Sequence, residues 1–134
     1  MTPGQLFTSQ RQFTKQDVEL FSQLSGDYAE HHQQPNPQGQ LMVHGLLTST
    51  LPTSLGKTLN YLVRESFSEY LRPVFTEQEI ICHFQITETQ PHKRGTWVRA
   101  TFECLNPEGK AVMKGWTTGL VLSPIHSEKP EKKD

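Results

Sequence analysis

The chain contains few of the features that mark secreted, membrane or nucleic-acid-binding proteins. Its 134 residues include only two cysteines, with no Cys-x-x-Cys pair or zinc-type Cys/His spacing, so neither a disulfide scaffold nor a zinc finger is expected. No apolar run approaches the roughly 18 residues of a membrane span, and the N-terminal MTPGQLFTSQRQF lacks a signal-peptide pattern. A net charge of -1 without a Lys/Arg cluster argues against nucleic-acid binding. These absences predict a cytoplasmic protein with reduced thiols.

The length predicts one domain with a substantial core. A chain of this size buries roughly 68% of the surface that its unfolded form exposes, so it needs no disulfide or metal to fold. We place the domain at residues 1–122. Residues 123–134 are rich in charge and almost lack apolar side chains, which predicts a disordered tail. Cys82 and Cys104 lie in alternating apolar runs and are expected to be buried thiols.

The first clear element is a helix from Lys15 to Ser25. Thr14 can cap its N-terminus, and Asp17 three residues later can complete a capping box. Gly26 supplies the left-handed residue that ends many helices. Asp27 then emerges just past the helix C-terminus, where the macrodipole opposes its negative charge. A cation or a hydrogen-bond donor is therefore expected nearby.

A second helix is expected to begin at the Val-His-Gly sequence that ends at Gly45. The preceding residues 33–42, QQPNPQGQLM, predict a surface loop. Small hydroxyl residues separate the leucines of the helix, which favours burial almost all round. Pro52 lacks an amide proton and should kink the helix, and Gly56 should end its best-formed part. The leucines are Leu46, Leu47, Leu51 and Leu55.

After residue 60, apolar residues alternate with a period of two, as in β-strands. The LNPEGK sequence between the last two runs predicts a tight turn and an antiparallel hairpin, and residues 61–74 predict a further strand. We therefore expect an α+β domain, with an antiparallel sheet of about five strands against one long buried helix. The predicted strand faces are Ile80, Cys82, Phe84 and Ile86; Val98, Ala100, Phe102 and Cys104; and Val112, Trp116 and Leu120, with Met113 and Val121 opposite.

The segment between the two helices, SGDYAEHHQQPNPQGQLMVHG, contains two acidic residues and three histidines but is too irregular to form core. Asp27 and His32 lie five residues apart across a turn, close enough to hydrogen-bond to a common water. Gly45 lies at the start of the second helix, where unpaired backbone amides suit a developing oxyanion. The segment therefore combines proton-handling groups with an oxyanion-binding position.

Three sequences, SGDYAEHH, VHGLL and VMKGWTTGLV, resemble in order and spacing the MaoC-like dehydratase family of hot-dog proteins. This family includes (R)-specific enoyl-CoA hydratases and 3-hydroxyacyl thioester dehydratases, and the resemblance extends from Phe13 to Val121. Its motif, Asp-x-Asn-Pro-x-His followed by Val-His-Gly, implies a catalytic Asp27, a catalytic His32 and an oxyanion-binding Gly45. Val43 and His44 would also lie at the substrate.

The resemblance implies further contacts and two departures from the family pattern. Thr50 and Thr53 are weaker candidates for a hydroxyl contact to the Asp27 side chain, and Thr53 is also expected among the substrate-binding residues. The Asn-Pro pair of the family is replaced by Ala29-Glu30. The segment from His32 to His44 is also several residues shorter than in typical hydratases of the family. The turn geometry therefore leaves His31 open as an alternative to the imidazole at position 32.

The resemblance implies a single hot-dog domain that acts as a lyase. It would hydrate trans-2-enoyl thioesters reversibly to (R)-3-hydroxyacyl thioesters. An imidazole, whose ordinary pKa is about 6.5, can take a proton from water at neutral pH while a carboxylate orients that water. No metal or organic cofactor is expected. The substrate would be an acyl-CoA or acyl-carrier-protein thioester, and the protein would be a homodimer joined along its sheet edges.

Other interpretations stay open at this stage. Hot-dog proteins also include acyl-CoA thioesterases, and the loss of Asn-Pro is compatible with a non-catalytic acyl-thioester binding or regulatory protein. Asp27, His32 and His44 could together bind a metal, although their spacing matches no compact ligand pattern. Taken singly, Asp27 could be a turn residue and Gly45 a packing glycine.

Overall fold

The computed structural model describes residues 1–123, apart from the side chains of residues 56–58. Strand β1 is followed by four helical segments and then by four strands. All the strands form one antiparallel sheet in the order β1-β3-β4-β5-β2. The bounds are β1 (Leu6–Gln12), α1 (Lys15–Ser25), α2 (Glu30–Gln33), α3 (Gly45–Thr48), α4 (Thr50–Leu59), β2 (Tyr61–Tyr70), β3 (Glu79–His92), β4 (Gly95–Leu105) and β5 (Ala111–Leu122).

Helix α1 has the predicted bounds and both predicted ends. The Thr14 side chain accepts a hydrogen bond from the Asp17 amide (3.1 Å), and the Asp17 carboxylate accepts one from the Thr14 amide (2.9 Å). At the other end, Gly26 adopts the left-handed conformation with φ of 78° and donates to the Ser22 carbonyl. Because hydrogen bonds fix both ends of the helix, they also fix the position of Asp27, which directly follows Gly26.

The second predicted helix is divided into α3 and α4 by a turn at Ser49. The division lies one turn before Pro52, which has no amide to donate to the Thr48 carbonyl. The predicted burial almost all round was wrong, since the Leu46 side chain is 65% exposed and Thr53 and Ser54 are exposed as well, whereas the other three leucines are buried. The predicted end at Gly56 was also wrong, because α4 continues to Leu59. Helix α4 contacts both edge strands, β1 and β2, and also β3, so the sheet curves around it.

Two interior strands, β3 and β4, carry the predicted apolar faces. Alternate residues of β3 and β4 are buried, and Cys82 lies opposite Cys104 as a free buried thiol. The hydrogen bond with the neighbouring Cys104 thiol, together with burial, raises the pKa of Cys82. On β5, a Cβ atom at Gly115 would overlap the Phe67 carbonyl oxygen, so glycine permits the close approach of β2. The buried faces are Ile80, Cys82, Phe84 and Ile86, and Val98, Ala100, Phe102 and Cys104.

Two elements are absent from the sequence predictions. Strand β1 pairs with β3 at one edge of the sheet and completes the expected five strands, and α2 lies in what was expected to be irregular chain. Within the described residues, no helix is both long and apolar enough to cross a membrane. The predicted tail, from residue 124 onward, lies outside the described residues.

Candidate active site

An open cavity of about 790 Å³ lies where the end of α1, the short helix α2 and the start of α3 meet the segment that follows β2. Its size is in the range of small-molecule sites. Asp27 and His32 line it together with His44 and Gly45, which follow later in the chain. Much of the remaining wall is apolar, formed by Phe21, Met42, Val43, Leu46, Leu71, Pro73, Val74, Val112 and Met113.

Asp27 is exposed at the end of α1. Its Oδ1 atom accepts a hydrogen bond from the Ala29 amide (3.1 Å), which closes a tight turn leading into α2. This backbone hydrogen bond, opposed by slight desolvation and assisted by the nearby histidines, lowers the pKa of Asp27. The side chain is therefore a carboxylate at neutral pH.

His32 lies in α2 and is buried, with 5% of its surface exposed. Its Nδ1 atom lies 2.7 Å from the Met42 carbonyl oxygen. A carbonyl can only accept, so Nδ1 carries the proton and the neutral ring has its lone pair on Nε2. That Nε2 atom lies 3.7 Å from Oδ2 of Asp27. The Met42 carbonyl thus leaves the basic nitrogen of His32 facing the carboxylate.

His31 occupies a different environment from its neighbour. Its side chain is exposed and its ring centroid lies 4.0 Å from that of His32. In the part of the chain that the structure describes, His32 is the histidine whose ring nitrogen comes within 4.0 Å of the Asp27 carboxylate. The geometry therefore favours the five-residue spacing of the sequence prediction.

His44 lies at the N-cap of α3 and is almost fully buried. Its Nε2 atom is 3.2 Å from the Asp27 carbonyl oxygen and 3.1 Å from Oγ of Ser22. Its ring stacks on that of His32, with centroids 3.7 Å apart and an interplanar angle of 18°. Burial lowers the pKa of His44, so the ring stays neutral near pH 7.

Gly45 is the first residue of α3 and lines the cavity. Within residues 1–123, its amide makes no hydrogen bond to the protein. A Cβ atom at this position would lie 2.8 Å from the Tyr70 ring, so only glycine fits beside the ring in this position. The Tyr70 hydroxyl is 3.3 Å from Oγ of Ser49, which donates to the Gly45 carbonyl (3.1 Å). Tyr70 thus packs against Gly45.

The remaining predicted site residues divide between the cavity and the surface. Val43 lines the cavity, but its amide donates to the Val74 carbonyl (2.7 Å), so its contribution there is apolar contact. Thr53 is exposed and is not part of the cavity wall, and the Thr50 hydroxyl donates to the Leu47 carbonyl (2.6 Å). The structure therefore brings neither hydroxyl to Asp27.

Sequence reasoning missed three residues that shape this site: Ser22, Met42 and Tyr70. Ser22 contacts His44 from the buried face of α1, Met42 contributes a backbone carbonyl, and Tyr70 comes from a distant strand. No local motif marks these roles, because each depends on a tertiary contact. The position of Ser22 beside the apolar stripe of α1 is the one sequence signal that could have identified any of them.

Asp27, His32 and His44 also offer ligand-type atoms within 4.8 Å of one another, although their sequence spacing predicts no metal site. The two imidazole rings lie in nearly parallel planes with centroids 3.7 Å apart, so lone pairs within those planes do not converge on one ion. The Nε2 atom of His44 is also committed as a donor to the Asp27 carbonyl. This donor set fits hydrogen bonding better than metal coordination.

Comparisons with known proteins match this chain by structure and not by sequence. No protein-family model matches it, and no curated protein matches it in sequence. An (R)-hydratase from A. caviae involved in PHA biosynthesis is similar with a TM-score of 0.80 and 20% identity, covering 90% of this chain and 97% of that protein. An unliganded R-hydratase from Pseudomonas aeruginosa is similar with a TM-score of 0.78 and 20% identity, covering 92% of this chain and 84% of that protein.

A MaoC-like dehydratase from Rhodospirillum rubrum is also similar, with a TM-score of 0.68 and 16% identity over 93% of this chain and 96% of the other. Identities of this size establish the fold. The strand order, the enclosed helix and these similarities together show that the chain is an α+β protein with the hot-dog fold of the (R)-hydratases and MaoC-like dehydratases.

Proposed function

We propose that this protein is a hydro-lyase that adds water to trans-2-enoyl thioesters to give (R)-3-hydroxyacyl thioesters, and runs the reverse dehydration. The observation that carries the proposal is the pairing of Nε2 of His32 with Oδ2 of Asp27 at 3.7 Å, inside a cavity of about 790 Å³. The fold shared with two (R)-hydratases supports the reaction class and its stereochemistry.

The Asp27–His32 pair would activate one water molecule. A separation of 3.7 Å is too long for a direct hydrogen bond, but a single water can contact both atoms. The unprotonated Nε2 of His32 takes a proton from this water as its oxygen attacks C3 of the enoyl group. The ionised Asp27 accepts a hydrogen bond from the second hydrogen of the water, which stays on the new C3 hydroxyl, and so fixes the direction of attack. Positioned acids and bases of this kind each contribute about 10²–10⁴-fold.

The electrons of the double bond move to the thioester oxygen as the new C–O bond forms. The Gly45 amide would donate to this enolate oxygen, and donors of this type contribute about 2.7–4 kcal/mol in other oxyanion holes. A proton then passes from the Asp27–His32 pair to C2, the enolate collapses to the thioester, and both groups return to their starting states. The steps need only the groups that line the cavity.

The apolar wall supports an acyl-chain substrate. Most of the lining side chains are apolar and leave the acid, the imidazoles and the free amide close together at one part of the wall. Burial of a carbon chain against that wall would favour binding, while the thioester of the same substrate lies at the polar groups. Both coenzyme A and acyl carrier protein can present such a thioester.

We also propose that the protein is a homodimer joined through the β2 edge. Among the described residues, β2 pairs only with β5, and its free edge exposes large apolar side chains. An unpaired apolar edge strand is a site where another strand pairs. Tyr70, the last residue of β2, lines the cavity, so a second copy would lie beside the cavity mouth. The exposed side chains are Leu62, Val63, Phe67 and Tyr70.

Light scattering after gel filtration tests this assembly. A lysine in place of Val63 on β2 should shift the protein from dimer to monomer, because charge on an edge strand blocks pairing. Leu24→Lys is the matched control, since Leu24 is 84% exposed on α1 and should stay dimeric. A monomeric wild-type protein, or a dimer unaffected by Val63→Lys, would contradict this edge as the interface.

The reaction is tested by following the loss of the conjugated enoyl-thioester absorbance with crotonyl-CoA and with longer enoyl-CoAs. We expect hydration, with chiral analysis giving the (R)-3-hydroxyacyl product. Release of free coenzyme A thiol without hydration would support a thioesterase instead. If neither reaction occurs with coenzyme A or carrier-protein substrates, and the folded protein binds acyl-CoA, the hydratase proposal fails in favour of a binding role.

A further inference from the structure

His44 is an almost fully buried polar side chain at the site, yet the proposed reaction assigns it no step. The ring is 2% exposed and lies between Phe21, whose ring centroid is 4.8 Å away, and His32 at 3.7 Å. His44 therefore contacts one of the two reacting side chains across a whole ring face.

The same ring holds the other reacting residue through its backbone. The Nε2 atom of His44 lies 3.2 Å from the Asp27 carbonyl oxygen and 3.1 Å from Oγ of Ser22. Because a carbonyl only accepts, Nε2 carries the proton in the neutral ring. Asp27 follows the C-cap of α1 and is exposed, so this bond ties its main chain to the buried part of the site.

The other nitrogen of His44 keeps the ring uncharged. Nδ1 is buried and has no hydrogen-bond partner in the described part of the chain, so a proton there would be a buried donor without an acceptor. The ionisable groups that face the ring are Asp27, from the end of α1, and His31 and His32, from α2. Desolvation outweighs the attraction of the single carboxylate, and the pKa of His44 is lowered.

We propose that His44 is a positioning residue, which holds the Asp27 backbone through Nε2–H and the His32 ring by stacking, and so fixes the separation of the two reacting groups. This inference rests on the proposed hydratase function for its catalytic consequence. It assigns His44 no contact with substrate and no proton transfer.

Two substitutions separate the two contacts. His44→Phe keeps a flat ring against His32 but loses the donor to Asp27. His44→Gln loses the aromatic stack but places an amide nitrogen near the position of Nε2. Since a misplacement of about 1 Å can cost about 10²-fold in rate, we expect His44→Phe to lower kcat by at least about 10-fold while KM changes by less than about 3-fold. His44→Gln should recover most of that loss.

A second readout does not depend on turnover. The Ala29 amide donates to the Asp27 carboxylate, so its hydrogen exchange reports whether the Asp27 turn is held. We expect exchange at least about 10-fold faster in His44→Phe than in wild type, with His44→Gln close to wild type. Imidazole nitrogen spectra of the wild type should show His44 as the neutral Nε2–H tautomer.

Failure of the positioning role of His44 can be distinguished from failure of the proposed hydratase function. A wild-type protein without hydratase activity would refute the proposed function, whereas the exchange and tautomer results would still decide the positioning of Asp27. An Nδ1–H tautomer of His44, or Ala29 exchange unchanged in His44→Phe, would overturn the inference. So would an active wild type whose kcat is unaffected by His44→Phe, or a KM that rises while kcat stays constant.

Discussion

At the scale of the residue, the hydrogen bond between His32 and the Met42 carbonyl determines which imidazole nitrogen can act as a base. With Nδ1 donating at 2.7 Å, the lone pair on Nε2 is the one directed toward Asp27. The carboxylate is in turn oriented by the Ala29 amide, although Ala29 replaces the Asn of the family motif. A backbone amide supplies this contact, so the replaced side chain is not needed for it.

The adjacent histidines provide a matched pair for testing this assignment. His31→Ala should lower kcat/KM by less than about 3-fold, because His31 is exposed and does not contact the carboxylate, whereas His32→Ala should lower it by at least about 10²-fold. Steady-state hydration assays of both variants measure the difference. Equal losses in the two variants would show that the motif had been aligned one residue out of place.

Gly45 offers a second test at this scale. In Gly45→Ala, the new Cβ would lie 2.8 Å from the Tyr70 ring, so the ring or the α3 backbone must shift. The ring is half exposed and can move, so we expect a stability loss of about 1–3 kcal/mol together with a marked loss of hydration. Unfolding in urea measures the loss of stability, and the hydration assay measures the loss of activity. Full activity in Gly45→Ala would argue against the oxyanion role of this amide.

At the scale of the element, local signals determine how well the sequence predicts structure. Helix α1 is predicted with its bounds because its cap and its glycine stop are encoded within a few residues of each end. Pro52 predicts a break in the second helix, but the position of the division at Ser49 and the exposure of Leu46 are not predicted, because they depend on how the helix packs on the rest of the fold. Strand β1 is missed because LFTSQRQ is largely polar and exposed at a sheet edge.

The capping box of α1 provides the prediction at this scale. Thr14→Ala removes the oxygen that accepts the Asp17 amide, so it should lower the free energy of unfolding by about 1 kcal/mol. Thr53→Ala on α4 is the control, since Thr53 is exposed and should change stability by less than about 0.5 kcal/mol. Urea unfolding compares the two. Equal losses would contradict the capping role, and a loss of hydration in Thr53→Ala would restore Thr53 to the site.

At the scale of the whole molecule, the site exists because the fold brings together segments that the sequence keeps apart. The resemblance in sequence identifies Asp27, His32 and Gly45, but the cavity wall also comes from the β2 edge and from β5. His44 joins these parts, with contacts to Ser22 on α1, to the Asp27 carbonyl and to His32. Such contacts leave no periodic or motif signal, which is why sequence reasoning could name His44 but not its partners.

The buried neutral His44 makes the stability of the whole domain depend on pH. Its pKa is lower in the folded state than the value near 6.5 of an unfolded chain, so below about pH 6.5 the unfolded state binds more protons. Stability should therefore be complete above this pH and decrease as the pH falls from about 6.5 toward the folded pKa. Urea unfolding at several pH values should show a weaker decrease in His44→Phe. An identical pH dependence in both proteins would contradict the burial of a neutral His44.

The central claim is that Asp27 and His32 act as one unit on a single water molecule. The most direct measurement is the hydration rate of Asp27→Asn, His32→Ala and the double variant, each checked for folding. We predict that each single change lowers kcat/KM by at least about 10²-fold and that the double variant is about as slow as the slower single variant, because groups that act as a unit are not additive. Multiplicative losses, or substantial activity in either single variant, would contradict the account.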